Sequence, residues 1–192
     1  SELQALTEKV TTYLKNKGWF LARAYLPKQD VSSGVIEIAI INGILDRQSQ
    51  ITIKQPARIK AQVLHDLIEK QIRPGQPIHT ADIERAVLLM NDLPGVLARA
   101  TVEPGSKTGT SNIVVNVSEG PVAAGSVWSD NQGSRYTGEW RGNGMLLLND
   151  LTGYGDQLSL MMTGAEGLYQ GKAGYTFPLG SNGLKASLAY TG

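Results

Sequence analysis

The stretch from Arg135 to Asn149 reads R-Y-T-G-E-W-R-G-N-G-M-L-L-L-N, and it decides the fold that we predict. Its odd positions as far as Asn143 are polar, and its even positions are apolar or glycine. Only an extended strand separates two such sets onto opposite faces, because successive side chains of a strand point in opposite directions. The stretch exceeds the roughly 9–11 residues that a tilted strand needs to cross a bilayer. Taken alone, it is equally consistent with a half-buried strand of a soluble sandwich.

The two faces of this predicted strand differ in polarity. A charged face opposite a face of leucine and aromatic residues is typical of a barrel strand with one side in the lumen and the other in lipid. A slip of one residue would exchange the faces, so the register should be firmly set. The predicted lumen-facing residues are Arg135, Glu139 and Arg141, and the predicted lipid-facing residues are Tyr136, Trp140, Leu146 and Leu148.

The same alternation recurs on either side of this stretch. Val122 to Asp130 is predicted as the preceding strand, and three more strands follow, separated by turn sequences such as P-L-G-S-N-G. In the fourth strand Lys172 lies on the polar side and Tyr175 on the apolar side, so Lys172 is also predicted to face the lumen. Tyrosine and phenylalanine near several strand ends are typical of a membrane aromatic girdle. This repetition favours a transmembrane β-barrel over a soluble sandwich.

Composition limits the other classes of protein. The chain has 192 residues and a net charge of +1, from 18 basic and 17 acidic residues, so no electrostatic argument favours nucleic acid as a partner. Cysteine is absent, which excludes disulfides and thiolate metal sites. Neither a signal peptide nor an apolar run of about 18 residues is expected. Residues 1–121 hold 8 glycines and residues 122–192 hold 14, which indicates two architectures.

Before the glycine-rich part, the chain has α+β character. Leucine and valine recur at helical spacing from Leu3 to Leu14, and strands are predicted at Trp19 to Leu26 and Gly34 to Leu45. A second unit then runs from Ile51 through two helices that end at Pro-Gly steps, with Pro56 in the first helical turn and Thr80 as the second N-cap. Strands at Val96 to Glu103 and Asn112 to Glu119 complete a βααββ order.

No catalytic or metal site is predicted. His65 and His79 are the only histidines, and neither has a second ligand at metal-binding spacing. A surface or packing role is the better interpretation of both. The sequence contains no serine triad pattern, P-loop or dinucleotide-binding glycine motif in its required context. We therefore predict that the chain is not an enzyme and uses no cofactor.

Several short motifs, in their order and spacing, resemble one known family. Residues 93–96 read L-P-G-V, 115–120 read V-N-V-S-E-G, 155–158 read G-D-Q-L, and 175–180 read Y-T-F-P-L-G. Together they resemble the second polypeptide-transport-associated (POTRA) domain and the first barrel strands of two-partner secretion transporters. The resemblance implies the end of a first POTRA domain at 1–48, a second POTRA domain at 49–121 and five barrel strands at 122–192. Because known barrels have at least eight strands, it implies an incomplete barrel.

The resemblance also implies a location and a partner. Family members lie in the outer membrane of Gram-negative bacteria with their POTRA domains in the periplasm. They export a large secreted protein, such as an adhesin or haemolysin, and they contact outer-membrane lipid. Two alternatives stay open. The first is an assembly factor of the related barrel-insertion machinery, and the second is a purely periplasmic POTRA scaffold, against which the lipid-facing strands argue.

An edge strand of the second POTRA domain is the predicted partner-binding element. In POTRA folds this strand lies at the sheet edge, where an unfolded chain can add as a further strand through main-chain hydrogen bonds. Apolar grooves on the helices are the alternative. Since the outward-facing N–H groups cannot be identified from sequence, a proline test requires both Ala98→Pro and Arg99→Pro. The predicted strand comprises Val96, Leu97, Ala98, Arg99, Ala100, Thr101, Val102 and Glu103.

Overall fold

The structure is a computed structural model that describes residues 2–29, 34–45, 52–54, 58–73, 75–107 and 109–192, with 52–54 described by their backbone. The chain divides into two compact units. The first comprises residues 1–54, 68–88 and 99–116, and the second comprises 55–67, 89–98 and 117–192. The division passes through several helices and strands, so the domain boundaries at 48/49 and 121/122 stay a prediction.

The helices form where the apolar spacing predicts them. They are α1, Glu2–Asn16; α2, Ala61–Gln71; and α3, Thr80–Asn91. Leu64, Leu67 and Ile68 of α2 are buried, as are Ala86 and Met90 of α3. Pro56, the predicted helix start, lies outside the described residues, but residues 58–60 are described and are not helical, so α2 begins later than predicted. The predicted N-cap Thr80 is itself the first residue of α3, and its hydroxyl donates to the Gly18 carbonyl at 3.0 Å.

No helix among the described residues combines the length and the apolar character that spanning a membrane requires.

The first strands are shorter than the sequence pattern predicts. β1, Arg23–Tyr25, pairs antiparallel with β2, Ala39–Ile41, and β3 is Ile44–Leu45. The predicted strand beginning at Trp19 is wrong in its first part, because the Ala22 N–H donates to the Trp19 carbonyl in a turn. The predicted strand ending at Leu45 is interrupted at Asn42-Gly43. The predicted turn residues 30–33 lie outside the described residues.

The βααββ order is confirmed. β4, Thr52–Lys54, precedes α2 and α3, and β5, Val96–Pro104, and β6, Thr110–Glu119, follow them. β6 pairs in parallel with β3 and β4 at different points along its length, and it also pairs with β5. Among its side chains, Ile113, Val115 and Val117 are almost fully buried. This part of the chain is therefore an α+β unit with a mixed sheet.

The remaining strands form one antiparallel sheet. They are β7, Ala123–Asp130; β8, Arg141–Asn149; β9, Gln157–Ala165; β10, Leu168–Leu179; and β11, Leu184–Thr191. Each pairs with its neighbour in sequence, in the order β11-β10-β9-β8-β7, so β7 and β11 form the two edges. The predicted five-stranded, unclosed sheet after the α+β part is confirmed.

The prediction of a single strand from Arg135 to Asn149 is wrong in its first part. β8 begins at Arg141, which pairs with Asp130, the last residue of β7. Residues 131–140 form a loop between the two strands. Gly138 has a φ of +99°, a conformation that breaks an extended strand and that residues with a side chain rarely adopt. The alternation in 135–140 therefore belongs to a loop and does not mark two faces.

The strand register separates the side chains of this sheet into a polar and an apolar face. Arg141 lies opposite Asp130, and Asn143 lies opposite Thr163. Lys172 pairs with Met161, which is on the same side of the sheet as Thr163. We call this side the polar face. On the other side Leu146 pairs with Leu160 and Gly144 with Met162, and this apolar face continues into β10 and β11. Its members there are Tyr169, Ala173, Tyr175, Phe177, Leu184, Ala186, Leu188 and Tyr190.

Candidate functional site

The polar face carries a hydrogen-bonded network across three strands. The Arg141 guanidinium lies 2.7 Å from one Asp130 oxygen, and the Asn143 side-chain amide donates to the other oxygen at 2.8 Å. The Thr163 hydroxyl donates to the side-chain amide oxygen of Asn143 at 2.9 Å. Asn143 is only 6% exposed, and its side chain bonds Asp130 and Thr163, so its amide is satisfied as a buried polar group must be.

The predicted lumen-facing residues fall into two groups. Arg141 and Lys172 lie on the polar face, in β8 and β10. Arg135 and Glu139 lie in the loop 131–140, so the strand that was expected to carry them does not extend that far. The orientation of all four side chains relative to a pore stays a prediction.

The apolar face leaves large hydrophobic side chains exposed. Val127 is 88% exposed, Met162 71%, Tyr169 84% and Leu188 71%. A soluble monomer rarely exposes a continuous apolar surface of this kind, and such a surface indicates contact with protein or membrane. Because the opposite face of the same strands is polar, the sheet has the two-sided character of a transmembrane barrel wall.

The predicted partner-binding strand lies at the edge of the mixed sheet. Among the described residues, β5 pairs with β6 alone. Its outer edge is partly occupied, because the Ala98 N–H donates to the Asn91 side chain at 2.6 Å and the Asn91 amide donates to the Ala98 carbonyl at 3.2 Å. Asn91 thus takes the place of a neighbouring strand at this one residue.

This contact identifies the residues whose main-chain groups point outward. In an antiparallel pair, a residue whose N–H and C=O turn away from the partner strand alternates with one whose groups face it. Since Ala98 turns outward, Ala100 and Val102 do so as well. The proline test with Ala98→Pro would therefore break an internal hydrogen bond, and Arg99→Pro would remove a donor that faces β6. Sequence reasoning did not single out Asn91, the residue that reveals this pattern.

The turn between β8 and β9 contains two buried carboxylates that sequence reasoning also missed. Asp156 accepts hydrogen bonds from the Thr152 N–H and hydroxyl and from the Tyr175 hydroxyl, at 2.6–2.9 Å. Asp150 accepts one from the Gly155 N–H at 2.7 Å, and its second oxygen is buried with no hydrogen-bond partner among the described residues. The available signal was the run of Asp, Thr and Gly at 150–156, since Asp and Thr side chains often bond the backbone of their own turn.

The pKa values of the two carboxyl groups are shifted in opposite directions. Burial raises the pKa of Asp150, and the charges of Asp156 and Glu119 add to this effect against the opposing Gly155 hydrogen bond. Burial also acts to raise the pKa of Asp156, but the hydrogen bonds from Thr152 and Tyr175 outweigh it, so that this pKa is lowered. The surroundings in this turn therefore stabilise the charged form of Asp156 and destabilise the charged form of Asp150.

Known proteins resemble the chain in sequence and in fold. A family model described as "POTRA domain, ShlB-type" matches residues 1–43, and one described as "Haemolysin secretion/activation protein ShlB/FhaC/HecB" matches residues 109–191. Over these two stretches the chain resembles the two-partner secretion transporters. The structure of CdiB from Escherichia coli superimposes with a TM-score of 0.76 at 26% identity, over 98% of this chain and 35% of that one.

Two curated relatives support the same assignment. The heme/hemopexin transporter protein HuxB of Haemophilus influenzae (strain 86-028NP) is 28% identical over 160 residues, which are 83% of this chain and 28% of HuxB. The outer membrane transporter CdiB of Dickeya dadantii (strain 3937) is 30% identical over 156 residues, 81% of this chain and 26% of CdiB. The chain thus spans little more than a quarter of the length of these relatives.

This resemblance to the two-partner secretion transporters agrees with the main sequence-based expectations. The predicted family, the POTRA-type α+β part followed by antiparallel strands, and the outer-membrane location with periplasmic POTRA domains are confirmed. Transporters of this family work with a secreted partner protein. The alternative of a barrel-assembly factor receives less support, because both curated relatives are named as transporters.

Proposed function

We propose that this chain is the part of a protein-translocating pore that captures an unfolded secreted protein and passes it into the barrel. The observation that carries the proposal is the β5 strand, which pairs with β6 alone among the described residues, in the same chain as a sheet with one polar and one apolar face. The first feature suits a partner that arrives as an extended chain. The second suits a wall between lipid and an aqueous channel.

Capture would proceed by strand addition to β5. An extended chain can pair with the outward N–H and C=O groups of Ala100 and Val102, whereas Ala98 is already bonded to Asn91. Main-chain pairing requires little sequence complementarity, so it accommodates a long partner whose successive segments differ. A large secreted adhesin or haemolysin has this property, and we propose that class as the partner.

The polar face of β7–β11 would line the channel. Arg141 and Lys172 would then face the lumen, and the apolar face would contact outer-membrane lipid, which avoids the cost of a charged side chain in the bilayer. Glu119 of the α+β part leads into β7, so the loop 131–140 at the far end of β7 would lie toward the cell exterior. Arg135 and Glu139 would therefore stand at the outer mouth of the channel.

A proline at position 100 tests whether the partner binds to the edge of β5. Ala100→Pro removes an outward N–H, and an edge strand tolerates proline at such a position. In the intact transporter we expect secretion of the partner, and its binding to the purified transporter, to fall at least about fivefold, since each lost main-chain hydrogen bond contributes roughly 1 kcal/mol. Ala100→Val is the matched control, because it adds a similar volume and keeps the N–H.

The two measurements separate capture from folding. Circular dichroism and the amount of transporter in the outer membrane should be the same for Ala100→Pro and Ala100→Val. If a folded Ala100→Pro transporter binds and secretes its partner as well as the control does, capture does not occur on β5.

A further inference from the structure

The last residue of β6 holds a segment distant in sequence. The two carboxylate oxygens of Glu119 accept hydrogen bonds from the Arg58 N–H at 3.0 Å, and one of them also accepts from the Ile59 N–H at 2.9 Å. The Arg58 guanidinium donates to the Gly120 carbonyl at 2.7 Å. The Glu119 side chain is only 7% exposed, so these donors offset the cost of burying its charge.

A second set of contacts joins the same point to the end of β8. The Gly120 N–H donates to the Gly95 carbonyl at 2.8 Å, and the Asn149 N–H donates to the Val122 carbonyl at 2.7 Å. The Asn149 side chain also donates to the Pro121 carbonyl. Residues 120–122, which connect β6 to β7, are therefore bonded on one side to the turn before β5 and on the other to β8.

The turn between β8 and β9 holds the other end of the Arg58 segment. The Lys60 N–H donates to the Gly153 carbonyl at 2.9 Å, and the Lys60 ammonium lies 3.5 Å from the centroid of the Tyr154 ring. A cation over an aromatic face at this distance is attracted by the ring. The residues immediately before α2 are thus fixed between Glu119 and this turn.

We propose that Glu119 is a positioning residue for export. Glu119 lies where the chain leaves the α+β part. Without the Glu119 carboxylate, fewer hydrogen bonds fix the direction of residues 120–122. Glu119 orients the beginning of β5, through Gly95 and Gly120, toward the strands that enter the membrane. A captured chain is thereby presented to the pore. This inference rests on the proposed function, since it assumes that β5 delivers a partner to the barrel.

Removal of the carboxylate should separate binding from export. In the intact transporter, Glu119→Ala should lower secretion of the partner about tenfold, as expected when hydrogen bonds to a charged group are lost. Binding of the partner to the detergent-purified transporter should stay within about twofold of the native value, because the outward groups of β5 are unchanged. Glu84→Ala, on the exposed side of α3, is the matched control for loss of a glutamate.

A disulfide can restore the position without restoring the carboxylate. A Cβ atom at Gly95 would lie 3.2 Å from the Asn149 Cβ, slightly closer than in most disulfides, and the chain has no cysteine of its own. Because Gly95 has a φ of +74°, a cysteine there is strained, and the oxidised double-cysteine transporter that keeps Glu119 is the reference that includes this strain. We therefore combine Gly95→Cys and Asn149→Cys with Glu119→Ala. Oxidation should return secretion to within about twofold of the oxidised double-cysteine transporter that keeps Glu119, and reduction should abolish the gain.

Three results would overturn the inference. They are normal secretion by Glu119→Ala, parallel loss of binding and secretion, and failure of the oxidised bridge to restore secretion. The proposed function fails by a different result, namely normal binding and secretion by the folded Ala100→Pro transporter. The two proposals can therefore be rejected separately.

Discussion

At the scale of single residues, Asp150 and Asp156 give one turn two opposite dependences on pH. The pKa of Asp150 is raised by burial, so its contribution to stability is greatest below the unfolded pKa of about 3.9 and is lost as pH rises through the folded pKa. The pKa of Asp156 is lowered by its hydrogen bonds, which outweigh burial. Its contribution is present above about 3.9 and is lost as pH falls through the folded pKa.

Amide substitutions should separate these two contributions. Asp150→Asn removes a disfavoured charge and keeps the acceptor for Gly155, so we expect a more stable transporter at pH 7 and no gain near pH 4. Asp156→Asn loses an acceptor for Thr152 or Tyr175, and we expect a loss of about 1.5–3 kcal/mol at pH 7 that shrinks as pH falls.

The temperature at which the folded transporter loses its resistance to SDS, measured at both pH values, checks this prediction. Equal destabilisation by the two substitutions at pH 7 would contradict the assignment of opposite pKa shifts to this turn.

For single residues, sequence alone predicts some features of β5 and misses others. The sequence predicts β5 as a strand but does not identify its outward N–H groups, so both Ala98 and Arg99 are candidate sites for a proline test. The contact with Asn91 of α3 shows that the main-chain N–H of Ala98 points away from β6. A contact between a helix residue and a strand backbone has no period in the sequence, so only the structure reveals it.

At the scale of elements, hydrophobic periodicity predicted the faces of β8 but not its beginning. The placement of Leu146 and Leu148 on the face opposite Arg141 and Asn143 is real strand periodicity, and the register confirms it. The six residues before β8 also alternate, yet they have no partner strand, because β7 ends at Asp130. A strand requires hydrogen bonds to a neighbour, and this requirement is not visible in a single segment.

Two adjacent leucines of β8 test the register. Leu146 lies on the apolar face and Leu147 on the polar face, opposite Ser159. Leu146→Arg places a charge toward lipid, which costs about 2–4 kcal/mol at the middle of the bilayer, so we expect little folded transporter in the outer membrane. Leu147→Arg changes the same residue type one position further and should insert at nearly the native level. Equal insertion of the two variants would show that the faces are assigned wrongly.

At the scale of the whole molecule, order and spacing of motifs were more informative than any one motif. The L-P-G-V step and the G-D-Q-L step are short and common, but they follow a βααββ pattern and lie within repeated amphipathic strands. The family resemblance predicted from them is confirmed by the family models at 1–43 and 109–191. Glu119 is part of the quoted V-N-V-S-E-G motif. Its hydrogen-bond partner Arg58 is about 60 positions away in sequence, so the motif alone does not reveal the contact.

The central claim is that β7–β11 form a membrane wall with the apolar face toward lipid. Met161 and Met162 test it most directly, because they are the same residue type at adjacent positions, on the polar and the apolar face respectively. These 192 residues contain no cysteine. With any cysteine elsewhere in the transporter replaced by serine, Met161→Cys and Met162→Cys each accept one nitroxide label in the transporter reconstituted in lipid. Electron paramagnetic resonance should find the label at 162 accessible to oxygen and the label at 161 accessible to a water-soluble nickel chelate. The reverse pattern, or equal access of the chelate to both labels, would contradict the account.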